Sequence, residues 1–262
     1  MEVIYGLHPV EEAIRSGSRQ LDHVSVARER RDDRLERLIE LCRTAGIRVS
    51  LEPRDQLTRL ARTDAHQGVL AVVQERKFLG IEDLLVPKAD GEHTFLLALD
   101  GIEDPHNLGA LLRTADAAGV DGVVLPERRS APVTATVAKT SAGASEHVRI
   151  ARVTNLVRAL EKLKERHVWV IGLDERGTPD YTEFDFKTDC VLVLGREGAG
   201  LHDLVKKTCD HLLRIPMAGQ VSSLNVSVAG AIVMYEAMRQ RRQPAVQPSA
   251  RKVVKERKGL GS

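Results

Sequence analysis

The sequence predicts an α/β protein in which a small α/β domain precedes a larger domain built on a parallel sheet with helices on both faces. Short β-branched runs alternate with helical stretches along the 262 residues, a pattern that favours parallel sheets covered by helices. Residues 94–100 (TFLLALD) form an apolar run typical of a strand buried on both faces. A polar stretch at 77–93, with Gly80, Pro87 and Gly91, separates two such series and indicates a linker.

The elements are predicted where apolar residues change between helical and strand spacing. In the first domain, residues 1–76, the order is helix 8–16, strand 24–26, helix 33–45, strand 47–51, helix 55–62 and strand 68–73. The linker segment IEDLLV also has helical character. In the second domain, residues 94–243, the order is strand 94–100, helix 107–118, strand 121–125, helix 133–143, strand 148–151, helix 154–166, strand 168–173, strand 190–194, helix 201–208, strand 211–215 and helix 225–240. The polar tail, 244–262, is expected to be disordered.

The composition excludes several classes of protein. With 42% hydrophobic and 29% charged residues, the chain is expected to be soluble and globular with a sizeable core. The start, MEVIYGLHPVEEAI, lacks the apolar core of a signal peptide, and no apolar run reaches membrane-spanning length, so we expect a cytoplasmic protein. Three scattered cysteines favour reduced core thiols. No C-x-x-C or H-E-x-x-H spacing occurs, and no metal site is predicted.

Positive charge is concentrated at the C-terminal end. Residues 239–262 hold eight Arg and Lys against one Glu, whereas residues 1–76 balance 13 Arg against 13 acids. A basic tail on a near-neutral body, with a net charge of +2, is consistent with a polyanionic partner. Aromatic residues make up only 3% of the chain, which argues against single-strand binding through an aromatic stacking platform.

A glycine-rich turn follows the predicted strand 190–194 in the sequence VLVLGREGAGL. Gly195, Gly198 and Gly200 allow the backbone to approach a ligand or to take a positive φ angle. The spacing does not match the dinucleotide fingerprint G-x-G-x-x-G, which also normally opens its domain. Glu197 would repel a pyrophosphate, but it would tolerate a cationic sulfonium or hold a hydroxyl group. A plain tight turn is the alternative interpretation.

Two further segments carry candidate site residues. In DGIEDPHNLGALLRTADAAGV, Asn107 lies near a helix start and Arg113 follows about 9 Å further along the helix; Gly109 keeps that turn free of a side chain. A solvated arginine is the alternative there. In IPMAGQVSSLN, several residues could cap the next helix, and simple capping is the alternative. Two of the three segments begin at carboxyl ends of predicted strands, where parallel sheets bind ligands.

Together the segments resemble the three motifs of the SpoU, or TrmH-like, family within the SPOUT class of RNA methyltransferases. The matches are D-P-x-N-x-G-x-x-x-R-T-A at 104–115, L-G-x-E-x-x-G-L at 194–201 and I-P-M-x-G through S-L-N-V-S-V-A at 215–229. The first 76 residues resemble the small substrate-binding domain of this family. GLHPVEEAI at 6–14 and HQG at 66–68 are similar to the branch that methylates a guanosine ribose in large-subunit ribosomal RNA.

The resemblance implies a ribose 2′-O-methyltransferase that uses S-adenosylmethionine and whose C-terminal chain threads a trefoil knot. It also implies a homodimer, a ribosomal RNA substrate, and a cofactor held in the knot near the dimer interface. The implied cofactor-binding residues are Gly195, Gly200, Ile215, Met217 and Leu224. The implied catalytic and substrate-binding residues are Asn107, Arg113, Glu197, Ser223 and Asn225.

Methyl transfer to a ribose hydroxyl depends mainly on positioning and electrostatics. We assign Arg113 to clamping the adjacent phosphate and the developing alkoxide, because arginine is not normally deprotonated in proteins. The proton would leave through the phosphate or a water molecule. Asn107 would orient Arg113, and Glu197 with Asn225 would position the cofactor and the ribose. The target base would be splayed out of its stack, while the first domain and the basic tail hold the rest of the RNA.

Three alternatives remain open on the sequence alone. The same reaction on a transfer RNA or at another ribosomal site would use the same motifs. A nicotinamide-dependent oxidoreductase would need an early glycine fingerprint, which the sequence lacks. A non-catalytic RNA-binding homologue is the third alternative, and the intact Asn107, Arg113, Glu197 and Asn225 argue against it.

Overall fold

The computed structural model describes residues 1–242 and contains two β-sheets. The predicted tail at 244–262 lies outside the described residues. An α/β fold with a parallel sheet, helices on both its faces and an amino-terminal α/β unit is confirmed. Within residues 1–242, no helix has both the length and the apolar character needed to cross a membrane.

The first sheet has four strands and is mixed. Its elements are β1 (Glu2–Tyr5), α1 (Leu7–Ser16), β2 (Leu21–Ala27), α2 (Asp33–Thr44), β3 (Arg48–Glu52), α3 (Arg54–Ala61) and β4 (Val69–Val73). The strand order is β1-β4-β2-β3, with β2 and β3 parallel and the other pairs antiparallel. The sequence prediction missed β1, because the four residues EVIY are too short a run to show a strand period.

The second sheet has six parallel strands in the order β10-β8-β9-β5-β6-β7. Its elements are β5 (Phe95–Leu99), α4 (Pro105–Ala117), β6 (Gly122–Pro126), α5 (Ala135–Thr140), β7 (Ile150–Val153), α6 (Leu156–Glu165), β8 (Trp169–Leu173), β9 (Cys190–Leu194), α7 (Asp203–Thr208), β10 (His211–Leu213) and α8 (Val226–Arg242). Helices α4, α5 and α8 cover one face, and α6 and α7 cover the other. The predicted helix 133–143 is shorter than expected and leads into a separate 3₁₀ turn at Ala144–Glu146, and the IEDLLV segment contains only the 3₁₀ turn Glu82–Leu84.

Two glycines allow the helices around α4 to pack closely. A Cβ on Gly230 of α8 would lie 2.6 Å from a methyl of Leu194 and 2.7 Å from a methyl of Leu111. A Cβ on Gly109 of α4 would lie 2.7 Å from the Cβ of Thr140 on α5. Gly109 is buried and allows the two helices to pack closely. From the sequence, it was expected only to keep its turn free of a side chain. These contacts fix the start of α4.

The cysteines are free in the described chain, and Cys42 and Cys190 are buried. Burial raises the pKa of each of these two thiols to about 11. Both therefore remain protonated near neutral pH and act as small apolar core groups.

A buried ion cluster joins the two units of the chain. Glu146 Oε1 accepts hydrogen bonds from Arg19 at 2.8 Å and Arg76 at 2.7 Å, and Oε2 accepts from Arg19 Nε at 2.9 Å. The side chains expose 0% (Glu146), 5% (Arg19) and 9% (Arg76) of their surface. Arg19 also pairs with Glu2 at 2.6 Å. Glu146 is therefore the carboxylate that the two buried guanidinium groups share.

Glu146→Ala should lower the free energy of unfolding by about 3–5 kcal/mol, because it leaves two buried guanidinium groups without their shared carboxylate. The control is Glu12→Ala, which removes the more exposed pair Glu12–His147 and should cost less than about 1 kcal/mol. Denaturant unfolding of both variants measures the difference. Similar small losses in the two proteins would contradict a stabilising role for the cluster.

Candidate active site

A cavity of about 350 Å³ opens at the carboxyl ends of β8, β9 and β10, where parallel sheets bind ligands. Its wall comes from three loops, 173–176, 194–201 and 215–224, together with the first turns of α7 and α8. The volume lies within the range of small-molecule sites, roughly 300–1,000 Å³. The sequence-predicted residues that line it are Gly195, Glu197, Gly200, Ile215, Met217, Ser223 and Leu224.

The turn after β9 closes so tightly that Gly195 has no room for a side chain. The N–H of Arg196 donates to the carbonyl of Gly200 at 3.0 Å, and the N–H of Gly200 donates back to the carbonyl of Arg196 at 2.9 Å. A Cβ on Gly195 would lie 2.5 Å from the carbonyl oxygen of Gly200 and would also collide with the backbone nitrogen of Leu201. Gly198 and Gly200 have φ angles of +73° and +67°, which glycine adopts most easily. Bare backbone therefore forms this side of the cavity.

Three predicted residues from separate segments form a hydrogen-bonded group beside the cavity. Nδ2 of Asn107 donates to Oε2 of Glu197 at 3.1 Å, and Nδ2 of Asn225 donates to Oδ1 of Asn107 at 3.0 Å. The same Nδ2 of Asn225 lies 3.5 Å from Oε1 of Glu197. Both carboxylate oxygens thus accept from amides, which fixes the orientation of Glu197. We call these residues the amide–carboxylate group.

Helix starts hold the amide–carboxylate group in place. Asp104 caps α4 by accepting from the backbone N–H groups of His106 at 3.0 Å and Asn107 at 3.3 Å. Asn225 caps α8, since its Oδ1 accepts from the N–H of Ser227 at 2.9 Å while its Nδ2 bonds Asn107. The Asn225 amide therefore caps α8 with its oxygen and joins the amide–carboxylate group with its nitrogen.

Arg113 is exposed on α4 and does not join this group. Within residues 1–242, no acceptor lies within hydrogen-bond distance of its guanidinium. The expected orientation of Arg113 by Asn107 is therefore not found within one chain, because Asn107 bonds Glu197 and Asn225 instead. Six residues rotate a side chain by about 240° around the helix axis, so the two side chains leave α4 on different faces. Ser223 is exposed in the loop that lines the cavity.

Two aspartates at strand ends were not predicted from the sequence. Asp174 directly follows β8 and pairs with Lys206 of α7 at 2.8 Å, and both line the cavity. Burial opposes ionisation of Asp174, but hydrogen bonds from Lys206 and from the N–H of Arg176 outweigh it, and the pKa of Asp174 is lowered. Asp100, after β5, accepts from the N–H of His202 at 2.7 Å. Both aspartates directly follow a strand, and this position in the sequence could have identified them as candidate site residues.

Comparison with known proteins defines the class. The model of the SpoU rRNA methylase family matches residues 94–235, and a model described as RNA 2′-O ribose methyltransferase substrate binding matches residues 3–79. The first match alone covers more than half of the chain. The chain therefore belongs to the SpoU rRNA methylase family.

Two relatives and one solved structure are similar over most of their length. YacO of Bacillus subtilis, a putative TrmH family tRNA/rRNA methyltransferase, is 43% identical over 92% of this chain and 96% of its own. The 23S rRNA (guanosine-2′-O-)-methyltransferase RlmB of Bordetella pertussis is 43% identical over 92% of this chain and 98% of its own. The SpoU methyltransferase AviRb from Streptomyces viridochromogenes, in complex with the cofactor AdoMet, matches with a TM-score of 0.76 at 26% identity, covering 91% of this chain and 90% of that one.

Glu197→Gln should lower the rate of methyl transfer by roughly tenfold or more, about 1.4 kcal/mol of transition-state stabilisation, with the fold intact. Both carboxylate oxygens accept from amides, and a glutamine offers only one acceptor oxygen. Single-turnover kinetics with saturating cofactor measure the loss. Glu161 is exposed on α6, and Glu161→Gln is the control that should behave as the unmodified enzyme. Equal rates for the two variants would remove Glu197 from the mechanism.

Proposed function

We propose that this enzyme transfers a methyl group from S-adenosylmethionine to the ribose 2′-hydroxyl of a guanosine in 23S ribosomal RNA. The observation that carries the proposal is the cavity with the amide–carboxylate group at its edge. The RlmB relative, whose name states this reaction, aligns with 92% of the chain, and the AviRb structure holds AdoMet. A ribosomal RNA substrate also favours a cytoplasmic location.

The cavity suits S-adenosylmethionine in size, surface and charge. Bare backbone at the glycine turn leaves peptide groups accessible to a nucleoside, and apolar side chains from the 215–224 loop add contact area. The carboxylates of Asp174 and Glu197 line the same cavity. Asp174 is paired with Lys206, whereas Glu197 has only amide partners and favours a sulfonium cation. Within residues 1–242, no group of three His, Cys, Asp or Glu could hold a metal ion. We assign cofactor binding to Gly195, Gly200, Ile215, Met217 and Leu224.

The bound cofactor would supply an electrophilic methyl group, and the residues of this chain bring the ribose hydroxyl to it. Glu197, fixed by Asn107 and Asn225, orients that hydroxyl, with Ser223 on the opposite loop. Arg113 stays protonated, and its charge stabilises the neighbouring phosphate and the developing alkoxide. The hydroxyl proton leaves to a phosphate oxygen or a water molecule.

The homodimer is part of the proposal. Val228 and Tyr235 lie seven residues apart on α8, hence on one helix face, and expose 48% and 46% of their surface. Burial of this face against a second copy would remove apolar area from water. Light scattering should give twice the chain mass of 28.9 kDa. A mass near that of one chain would remove the dimer from the proposal.

The trefoil knot and the domain bounds 1–76, 77–93 and 94–243 are also proposed. The N–H of Tyr181 donates to the carbonyl of Arg214 at 2.9 Å, and a Cβ on Gly177 would lie 2.8 Å from the carbonyl oxygen of Leu213. The connection after β8 thus lies tightly against the chain leaving β10, which supports threading. A crystal structure in which residues 214–226 pass beside the neighbouring loops rather than through them would contradict the knot.

Calorimetry with S-adenosylmethionine and mapping of ribose methylation test the function. We expect cofactor binding, and loss of one 2′-O-methylguanosine from 23S ribosomal RNA in cells that lack the protein. If the missing methyl group lies instead in transfer RNA or at another ribosomal site, that RNA is the substrate. Failure to bind the cofactor would contradict the proposed methyltransferase activity and favour a non-catalytic RNA-binding homologue.

A further inference from the structure

Three short segments and one lysine of α5 lie at one end of the four-stranded sheet. Residues 28–31 follow β2, residues 53–55 follow β3, and residues 62–67 precede β4. Because β4 is antiparallel to β2 while β3 is parallel to it, all three loops lie at the same end of the sheet. Lys139 of α5 reaches this end from the other unit. We call this surface the loop edge.

Cationic side chains connect these loops by bonding to carbonyl groups. Nε of Arg28 donates to the carbonyl of Leu51 at 3.1 Å, and Nζ of Lys139 donates to the carbonyl of Ala65 at 2.7 Å. A carbonyl group satisfies a donor without neutralising its charge. The side chains are thereby held in place while their positive charge remains available to a ligand.

The loop at 62–67 is built around the buried His66. Its Nδ1 accepts from the N–H of Gly68 at 3.0 Å, so Nε2 carries the proton and donates to Oγ1 of Thr58 at 3.0 Å. Burial, with the nearby charge of Arg54, lowers the pKa of His66 and favours this neutral form. The following residue, Gln67, has a φ of +55°, which is a strained backbone conformation for a residue other than glycine. The loop therefore has a defined shape.

The side chain of Gln67 has one end bonded and the other free. Its Oε1 accepts from the N–H of Leu7 at 3.4 Å, and a Cβ on Gly6 would lie only 3.3 Å from this oxygen. In the part of the chain that the structure describes, no acceptor lies within hydrogen-bond distance of Gln67 Nε2. Gln67 is exposed, so its NH₂ group faces solvent as a positioned donor.

The loop edge is positively charged although the whole chain is nearly neutral. Its ranges and Lys139 contain six basic and three acidic side chains. Among residues 1–242, no carboxylate lies within 4.0 Å of the cationic groups of Arg28, Arg31, Arg54 or Lys139. The three arginines are exposed and the lysine is half-buried. Four uncompensated cations therefore lie at the same end of the sheet as the free donor of Gln67.

The loop edge is linked to the candidate active site through α5. Lys139 bonds the loop at Ala65. The hydroxyl of the next residue, Thr140, lies 3.3 Å from the carbonyl oxygen of Pro105 and 3.0 Å from that of Thr136 in its own helix. Pro105 begins α4, two residues before Asn107. Consecutive contacts thus lead from the loop edge to the amide–carboxylate group.

We propose that the loop edge binds the sugar–phosphate backbone of the RNA substrate beside the target nucleotide. Arg28, Arg31, Arg54 and Lys139 contact phosphates, and Gln67 donates to a phosphate or ribose oxygen. Such contacts fix the register of a nucleic acid without reading its sequence. The inference rests on the proposed function and extends it by assigning the surface that holds the substrate.

The test measures binding of a 23S ribosomal RNA transcript to the full chain between 50 and 200 mM salt, which does not depend on methyl transfer. Arg28→Gln and Arg54→Gln should each weaken binding and reduce the slope of log K against log salt by about 0.7–0.9. Gln67→Glu keeps the acceptor for Leu7 but replaces the donor with a negative charge, and it should weaken binding as strongly. The KM for RNA should rise, with kcat and cofactor affinity unchanged.

Arg158→Gln is the matched control, since Arg158 is exposed on α6, which covers the opposite face of the second sheet from α5. It should leave both the affinity and the salt slope unchanged. If the loop-edge variants match this control, the loop edge does not bind the backbone, whatever the enzyme methylates. If the unmodified protein neither binds S-adenosylmethionine nor methylates the RNA, the proposed function fails, and the salt slopes still decide the binding surface.

Discussion

Gly195→Ala is expected to weaken S-adenosylmethionine binding by roughly a hundredfold or more and to reduce methyl transfer in parallel. The new Cβ would lie 2.5 Å from the carbonyl oxygen of Gly200. The position of a Cβ is fixed by its own backbone, and the carbonyl oxygen is a backbone atom, so no rotamer change can relieve the contact. Overpacking of this kind costs about 1–3 kcal/mol or more, and each 1.4 kcal/mol is about tenfold in affinity. The turn must open, and it forms the wall of the cavity. Titration calorimetry measures the effect directly.

A second glycine variant separates loss of the cavity from general destabilisation. Gly46 has a φ of +69°, and a Cβ there would meet no atom within 4 Å. Gly46→Ala therefore introduces backbone strain of about 1–2 kcal/mol without a steric clash, in the first unit and outside the cavity lining. It should lower the unfolding temperature but preserve cofactor affinity. Unchanged affinity in a folded Gly195→Ala protein would contradict the assignment of this cavity to the cofactor.

The sequence predicted most elements of the parallel sheet because each buried strand is a run of apolar residues with helices between. It could not predict β1, since EVIY is short and the strand depends on pairing with β4, distant in sequence. The sheet is mixed because β4 runs antiparallel to β1 and β2, whereas β3 is parallel to β2. Helix ends were less accurate, as at 133–143, where positive φ angles at Ala142 and Gly143 separate α5 from a 3₁₀ turn.

The site was predictable where a motif lies at a strand or helix end, and unpredictable where a contact depends on tertiary packing. Asn107, Glu197 and Asn225 were each predicted as site residues from their motifs. Asn107 was expected to orient Arg113, however, and its bonds to Glu197 and Asn225 required coordinates. Glu146 gave no signal, because a lone acid in SAGASEHV resembles any surface residue until the two units meet around it. Gly109 was expected only to keep its turn free of a side chain, and the close packing of α4 on α5 gives the physical reason for a glycine there.

Arg113→Ala should reduce methyl transfer by about 10²–10³-fold, the effect of removing one preorganised charge-stabilising group, and leave the fold and the cofactor affinity intact. Arg113 is exposed and has no acceptor among residues 1–242, so its removal breaks no structural contact. Arg113→Lys should recover activity only in part, because an ammonium group keeps the charge but loses the planar, bidentate geometry of guanidinium. Near-normal turnover in Arg113→Ala would contradict the assigned role.

The position of Arg113 on a different face of α4 from Asn107 raises the question of which active site it serves. A mixture of two inactive proteins, Arg113→Ala and Gly195→Ala, decides this. If the arginine acts across a dimer, a mixed dimer joins the intact cavity of the first chain with the intact Arg113 of the second, and activity returns after subunit exchange. If it acts within its own chain, every site in the mixture lacks one component and the mixture stays inactive. We expect recovery, because Asn107 bonds Glu197 and Asn225 rather than Arg113 within one chain.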